Sequence, residues 1–139
     1  MMELSFEYMN KFSSQMQFIS ALLCGFSLTV LLLLFDKQGS GKIVLHIFRI
    51  SMLSTGSFLV SIFAMTNVFL MTTEGFPLQV ENKDLVFPNL LGGISFLLGI
   101  ISIAVIIALL GWTRSRATGI FSTTIGVITL ILIIMMLST

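Results

Sequence analysis

The side chains that could do chemistry are few and far apart in this chain. It has 139 residues with one histidine, His46, and one cysteine, Cys24. A single histidine and a single cysteine cannot supply a thiolate metal site, a disulfide framework or a bis-histidine heme within one chain. A serine, histidine and carboxylate set for acyl transfer is not evident either. We therefore predict no enzyme activity, no metal and no cofactor.

One short stretch, GSGK at residues 39–42, has the end of a phosphate-binding loop but not the rest. The full pattern needs a glycine where this chain has Asp36, and a serine or threonine where it has Ile43. We interpret the stretch as a flexible turn. The net charge of +1 also gives no reason to expect nucleic acid as a partner.

Basic residues collect beside two predicted turns. Lys42, His46 and Arg49 are spaced by four and three residues, so a helix beginning near Lys42 would carry them as one stripe. Two roles fit: contact with anionic lipid head groups, or docking of a soluble cytoplasmic protein. We name the whole set the basic rim. It consists of Lys37, Lys42, His46, Arg49, Arg114 and Arg116.

Small and polar residues recur at steps of three and four within the apolar stretches. Such steps average about 3.5 residues, the period of a left-handed helix-packing seam. We interpret these stripes as helix contact faces. Alternatively, the first stripe lines a water-filled pore in an oligomer. We expect the amide of Asn67 to bond between helices. The stripe residues are Ser20, Cys24, Ser27, Ser54, Ser57, Ser61, Gly92, Ser95, Gly99, Gly119, Ser122 and Gly126.

The elements that must position these residues are membrane spans. The chain is 56% hydrophobic and 9% charged, with a mean hydropathy of +1.09, whereas soluble domains carry about 25% charged residues. Because a span needs about 20 apolar residues, we predict helices at residues 14–35, 43–71, 90–112 and 118–137. The predicted fold is a single domain, residues 1–139, forming an all-α integral membrane protein with an antiparallel four-transmembrane-helix bundle.

The connection over residues 72–88 is the longest one. We predict a small hairpin within residues 78–87, with Pro88 just ahead of the third helix and Asn89 near its cap. Lys and Arg favour the cytoplasmic side of a membrane. The two short turns and adjoining helix ends hold five of them, and the other side holds only Lys11 and Lys83. We therefore expect the turns in the cytoplasm and both termini outside.

Two resemblances bear on function. Residues 20–26 (SALLCGF) resemble the start of the pore helix of Orai calcium channels, which also have four spans. Where that family has its pore glutamate, this chain has Leu33, so a calcium-selective mechanism is not implied. In plan, a small four-span chain with basic turns is similar to the membrane subunits of bacterial anti-phage defence systems of the Kiwa type. That family pairs its membrane subunit with a soluble cytoplasmic protein.

These observations lead to three hypotheses. The first is an oligomeric membrane subunit, in the bacterial inner membrane, that anchors or signals to a soluble cytoplasmic partner. Under this hypothesis the connection over residues 72–88 is the outward-facing sensor. The second is an oligomeric channel or membrane-permeabilising effector lined by the first helix. The third is a small transporter of a neutral solute, although no charged residue lies in the centre of a span.

Overall fold

Four α-helices form nearly all of the described chain. The computed structural model describes residues 5–35, 41–77 and 80–138. Its helices are α1 (Phe6–Phe35), α2 (Lys42–Met71), α3 (Asn82–Trp112) and α4 (Arg116–Leu137), and those described segments contain no β-strand. Each helix is long and apolar enough to cross a membrane. The prediction of an all-α chain with four apolar helices is confirmed.

Two helices extend beyond their apolar spans. The predicted spans start at residues 14 and 90, whereas α1 and α3 begin at residues 6 and 82. The Ser5 hydroxyl accepts the N–H of Tyr8 at 3.3 Å, and the Asp84 carboxylate accepts the N–H of Glu81 at 3.1 Å. Such bonds satisfy N–H groups that have no helical partner at a helix start. Hydropathy therefore locates the apolar part of a helix, while capping decides where the helix begins.

The predictions for the segment before α3 are wrong. The hairpin does not form, because the stretch is helical from Asn82 onward; residues 78 and 79 lie outside the described residues. Pro88 lies inside α3 instead of ahead of it, and Asn89 is an interior helical residue. Proline is costly in a helix because it supplies no N–H. Here the carbonyl of Asp84, four residues earlier, loses its usual partner.

Consecutive helices are antiparallel neighbours. Ser20 lies opposite Ser61 and Ser27 lies opposite Ser54, so α1 and α2 run in opposite directions. The same reversed order relates α2 to α3 and α3 to α4. Short connections between the helices favour this arrangement.

The shared core belongs to the first three helices. Cys24, Phe58 and Phe96 form one buried cluster, contributed by α1, α2 and α3 in turn. A second cluster of Val30, Ile47 and Ile106 again joins these three helices. In contrast, α4 packs along α3 without extensive contact to α1 or α2 in the described chain. The bundle is therefore open on the α4 side.

Candidate functional site

The α1–α2 seam is a buried line of hydrogen bonds. The hydroxyls of Ser27 and Ser54 are 2.8 Å apart, and those of Ser20 and Ser61 are 3.3 Å apart. All four serines are fully buried. Hydroxyls bonded across a helix interface in lipid stabilise it by about 0.6 kcal/mol on average, and up to about 2 kcal/mol. These stripe residues therefore lie in a contact between two helices of one chain.

Two amides continue the α1–α2 seam toward its other end. The Gln17 amide donates to the Thr66 hydroxyl at 2.6 Å. The Asn10 amide nitrogen lies 3.2 Å from the Phe69 carbonyl, and equally close to two threonine hydroxyls at the end of α2. Asn67 does not bond between helices as predicted. Its side chain faces outward and has no hydrogen bond within the described chain.

Not every buried hydroxyl of α2 takes part in the seam. The Ser57 hydroxyl donates within its own helix, to the Leu53 carbonyl at 2.8 Å. Ser51 and Thr55 are buried, and their hydroxyls have no partner among the described residues. The thiol of Cys24 is 3.9 Å from the Thr55 carbonyl, a weak contact at most. The polar line is therefore interrupted beside Thr55.

In the α2–α3 seam the two helices approach closely, because glycines of α3 lie against large side chains of α2. A Cβ atom added to Gly99 would meet the ring of Phe58 at 2.6–2.9 Å, and one added to Gly92 would meet the end of Met65 at 2.4 Å. Phe58 also packs edge-on against Phe96 with ring centroids 6.1 Å apart. Ser95 lies buried on the same side of α3. The glycine spacing therefore admits an aromatic side chain between the two helices.

The α3–α4 seam combines glycine contacts with two hydrogen bonds. A Cβ on Gly119 would lie 2.6–2.9 Å from the Trp112 ring, and one on Gly126 would lie 3.1 Å from the Ala104 carbonyl. The Trp112 indole N–H donates to the Thr123 hydroxyl at 3.0 Å. The Ser122 hydroxyl donates to the Ile107 carbonyl.

Sequence reasoning missed one contact glycine of the α3–α4 seam. A Cβ on Gly111 would lie 2.4 Å from Ser122 Cβ and 2.6 Å from the Thr118 carbonyl. Gly111 lies outside the stripe that contains Gly92 and Gly99, because it faces α4 rather than α2. The signal that could have found this face is a second stripe of small residues, Ala104, Ala108 and Gly111, at steps of four and three; Gly126 of α4 lies against the two alanines.

The basic rim lies at one end of the helices. Lys42, His46 and Arg49 form the expected stripe at the start of α2, and Lys37 lies outside the described residues. Arg114 and Arg116 lie between α3 and α4, at the same end. The five described side chains are exposed, and no described carboxylate pairs with them. Residues 39 and 40 of the GSGK stretch lie outside the described residues. Lys42 is the first residue of α2, and the preceding element in the chain is the helix α1.

At the opposite end, which we call the acidic end, both lysines pair with glutamates. Lys11 pairs with Glu7 at 2.8 Å, and Lys83 pairs with Glu81 at 3.3 Å. Glu74 lies in the connection between α2 and α3 at the same end. Exposed pairs of this kind contribute only about 0–1 kcal/mol. Their significance is that these lysines have countercharges within the chain, whereas the described rim has none.

These features define an all-α fold with four helices that are each long and apolar enough to cross a membrane, as in a multi-pass membrane protein. Within the described residues, no group of three metal-binding side chains lies together. Comparisons of the chain with protein-family models, curated proteins and solved structures gave no match.

Proposed function

We propose that the chain is a non-enzymatic, self-associating membrane subunit that anchors or signals to a soluble cytoplasmic protein through the basic rim. The contrast between the two ends of the helices supports this most directly. At the acidic end the described lysines pair with glutamates, whereas the described rim cations face outward without such partners. A protein with an acidic face would supply the countercharges and would be steered toward the rim.

Self-association is supported by an outward face of α1. Ala21, Gly25 and Thr29 are four residues apart and exposed, and a Cβ added to Gly25 would meet nothing within 4 Å. Thr29 satisfies its own hydroxyl by donating to the Gly25 carbonyl at 2.8 Å. Small residues spaced in this way let a second helix approach closely in lipid. In a homo-oligomer, a helix of a second copy of the chain would pack against this face of α1.

The proposed setting is the bacterial inner membrane, with the basic rim in the cytoplasm. The bias of Lys and Arg supports this orientation. The similarity in plan to Kiwa-type membrane subunits suggests anti-phage defence as the process. In that setting the connection between α2 and α3 would be the outward-facing sensor. It is shorter than expected, because α3 takes up residues from 82 onward.

Charge reversal at the rim tests the docking proposal. The variant carries Arg114→Glu and Arg116→Glu; the control carries Lys11→Glu and Lys83→Glu, which change the net charge equally at the acidic end. Each complex is purified in gentle detergent from the native host, its mass is measured and its chains are identified. We expect the rim variant to lose a stoichiometric soluble partner while keeping the oligomer mass. A partner retained by the rim variant would refute docking and leave lipid contact as the role of the rim.

The channel hypothesis makes a separate prediction at Cys24. Cys24 is 5% exposed and belongs to one buried cluster with Phe58 and Phe96 within one chain. A pore lined by the α1 stripe would require this face to leave α2 and meet water. Modification of Cys24 by a membrane-impermeant thiol reagent in the assembled protein would favour the channel. Protection under the same conditions, with labelling restored in denaturant, would favour the anchoring subunit.

A further inference from the structure

Arg49 lies deeper along the bundle than the other described members of the basic rim. In the antiparallel register of α2 and α3, Phe58 lies against Gly99, and Ile47 shares a buried cluster with Ile106. Counting along the two helices from either contact, Arg49 is level with the turn of α3 at residues 104–108. The rim is therefore not one flat surface, because one of its cations lies inside the others.

Trp112 marks the expected level of the membrane interface at this end. It is the sole tryptophan, it is partly exposed, and it is the last residue of α3; tryptophan is enriched where a membrane meets water. Arg49 lies at least about four residues, or about 6 Å of helix rise, on the apolar side of this level. Arg114 and Arg116 follow Trp112 and lie beyond it. A soluble protein can contact those two arginines, whereas Arg49 is at the depth of lipid.

The neighbours of Arg49 on α2 are those of a lipid-facing surface. Arg49 is exposed, and Leu45, Met52 and Leu53, each about one helical turn away, are about half exposed. Side chains of a helix lean toward its N-terminus, which for α2 is the rim end. The guanidinium therefore extends back toward the interface, while the stem of Arg49 lies along apolar surface.

The described chain provides no anion for this guanidinium. All four described carboxylates lie at the acidic end: Glu7, Glu74, Glu81 and Asp84. At the interface the anion within reach is a lipid phosphate, which a guanidinium binds through two parallel N–H bonds. His46 lies three residues before Arg49 on the same stripe and adds a ring N–H donor nearer the helix start.

We propose that Arg49 and His46 bind the phosphate of an anionic phospholipid in the leaflet at the rim end, while Arg114 and Arg116 receive the soluble partner. The lipid site rests on the depth of Arg49, and only this division of the rim rests on the proposed function. A zwitterionic lipid has the same phosphate, but its ammonium group is repelled by Lys42 and by the stripe as a whole. The site therefore prefers a head group without a cation.

The first test uses the wild-type protein. Delipidated protein in detergent is exposed to phosphatidylglycerol, phosphatidylethanolamine or phosphatidylcholine with identical acyl chains, and the lipid retained is counted by native mass spectrometry. We expect phosphatidylglycerol to be retained about fivefold better than phosphatidylcholine, the effect of about one basic residue at an anionic surface. Excess inorganic phosphate should not displace it, because phosphate has no acyl chain to pack on Leu45 and Met52. Equal retention of the three lipids, or displacement by inorganic phosphate, would overturn the proposal.

The second test uses matched variants. Arg49→Gln removes one charge at the apolar depth, and the control Arg114→Gln removes one charge at the same end beyond Trp112. We expect Arg49→Gln to reduce retention of phosphatidylglycerol about fivefold, and the control to change it less than about twofold. Arg49→Lys should lie between, because it keeps the charge without the two parallel bonds. Equal losses in Arg49→Gln and Arg114→Gln would mean general attraction by positive charge and would overturn the site.

The same variants separate this proposal from docking. Purified from the native host, Arg49→Gln should keep the oligomer mass and the soluble partner that the variant with Arg114→Glu and Arg116→Glu loses. Loss of the partner from Arg49→Gln as well would overturn the division of the rim. The loss of lipid from Arg49→Gln is measured without any partner, so a failure of the docking proposal leaves that result unchanged.

Discussion

The seam between α1 and α2 and the seam between α3 and α4 hold antiparallel helices together in different ways. From Asn10 to Ser27, α1 bonds to α2 through side chains that each have a particular partner. The α3–α4 seam has its glycine contacts and both of its hydrogen bonds between residues 118 and 126 of α4. Beyond them, α3 and the last turns of α4 line an open apolar groove of about 360 Å³, and a groove of about 390 Å³ lies beside Trp112 and Gly126.

The difference teaches what each kind of contact determines. A hydrogen bond between two buried side chains fixes the register, because sliding one helix leaves a donor unpaired in an apolar setting. Glycine contacts fix the distance between helices but permit a small slide along the axis. We infer that α4 is the easiest helix to detach for a different reason: it packs along α3 alone and its glycine contacts and hydrogen bonds lie between residues 118 and 126, whereas α2 packs against both α1 and α3.

The largest effect on stability is expected at Gly111, because this glycine lies against the main-chain carbonyl of Thr118. Gly111→Val would place atoms against the Thr118 carbonyl, which cannot rotate away as a flexible side chain can. We expect α4 to separate from α3 and the free energy of unfolding to fall by about 1–3 kcal/mol. An unfolding titration in sodium dodecyl sulfate, followed by Trp112 emission, measures this. Trp112 is the sole tryptophan and bonds to α4 through Thr123.

The control for that experiment is Gly93→Val in the same helix. A Cβ on Gly93 meets nothing within 4 Å, so this variant has the same change of side chain without the clash. We expect its stability to change only by the small difference in helix propensity between the two residues, which favours valine over glycine. Equal destabilisation by both variants would mean that α4 is not held by close approach at Gly111.

A smaller effect is expected in the α1–α2 seam. Ser27→Ala, Ser54→Ala and the double variant form a cycle around the 2.8 Å bond between two buried hydroxyls. We expect a coupling energy of about 0.6–1.7 kcal/mol in the same titration. The corresponding cycle at Ser20 and Ser61 should give a smaller coupling, because that pair is 3.3 Å apart. Additive single variants at both pairs would show that the seam is held by packing alone.

The periodicity of small and polar residues predicted much of the fold. The phase of a residue, which is its position within that period, also indicates whether its side chain faces a helix contact or points outward. Asn10 lies three residues before Ser13, in phase with Ser20 and Ser27 on the buried face of α1. Asn67 lies four residues after the exposed Phe63, so its phase already places it outward. The prediction that the Asn67 amide bonds between helices did not take account of this phase, and it is therefore wrong.

Other features required long-range information. The hydropathy pattern located four spans, but the capping bonds of Ser5 and Asp84 start two helices earlier. The stripes predicted contact faces without naming partners, because pairing depends on how the connections set the register between helices. The sequence also did not predict that α4 packs against α3 alone. The outward residues of α4 are as apolar as those of a buried core, so hydropathy does not distinguish the outward face of α4 from its contact face.

The smallest effect, and one of opposite sign, is expected at Ser51, one turn beyond the Ser27–Ser54 pair. The Ser51 hydroxyl is fully buried and has no hydrogen-bond partner in the described chain, so it is desolvated without compensation. Ser51→Ala removes that hydroxyl and little volume, and should raise the free energy of unfolding by about 0.5 kcal/mol. Ser54→Ala, one turn away on the same helix, should lower it. If both lower it equally in the titration, the Ser51 hydroxyl has a partner after all, and the polar line extends beyond Ser54 toward the start of α2.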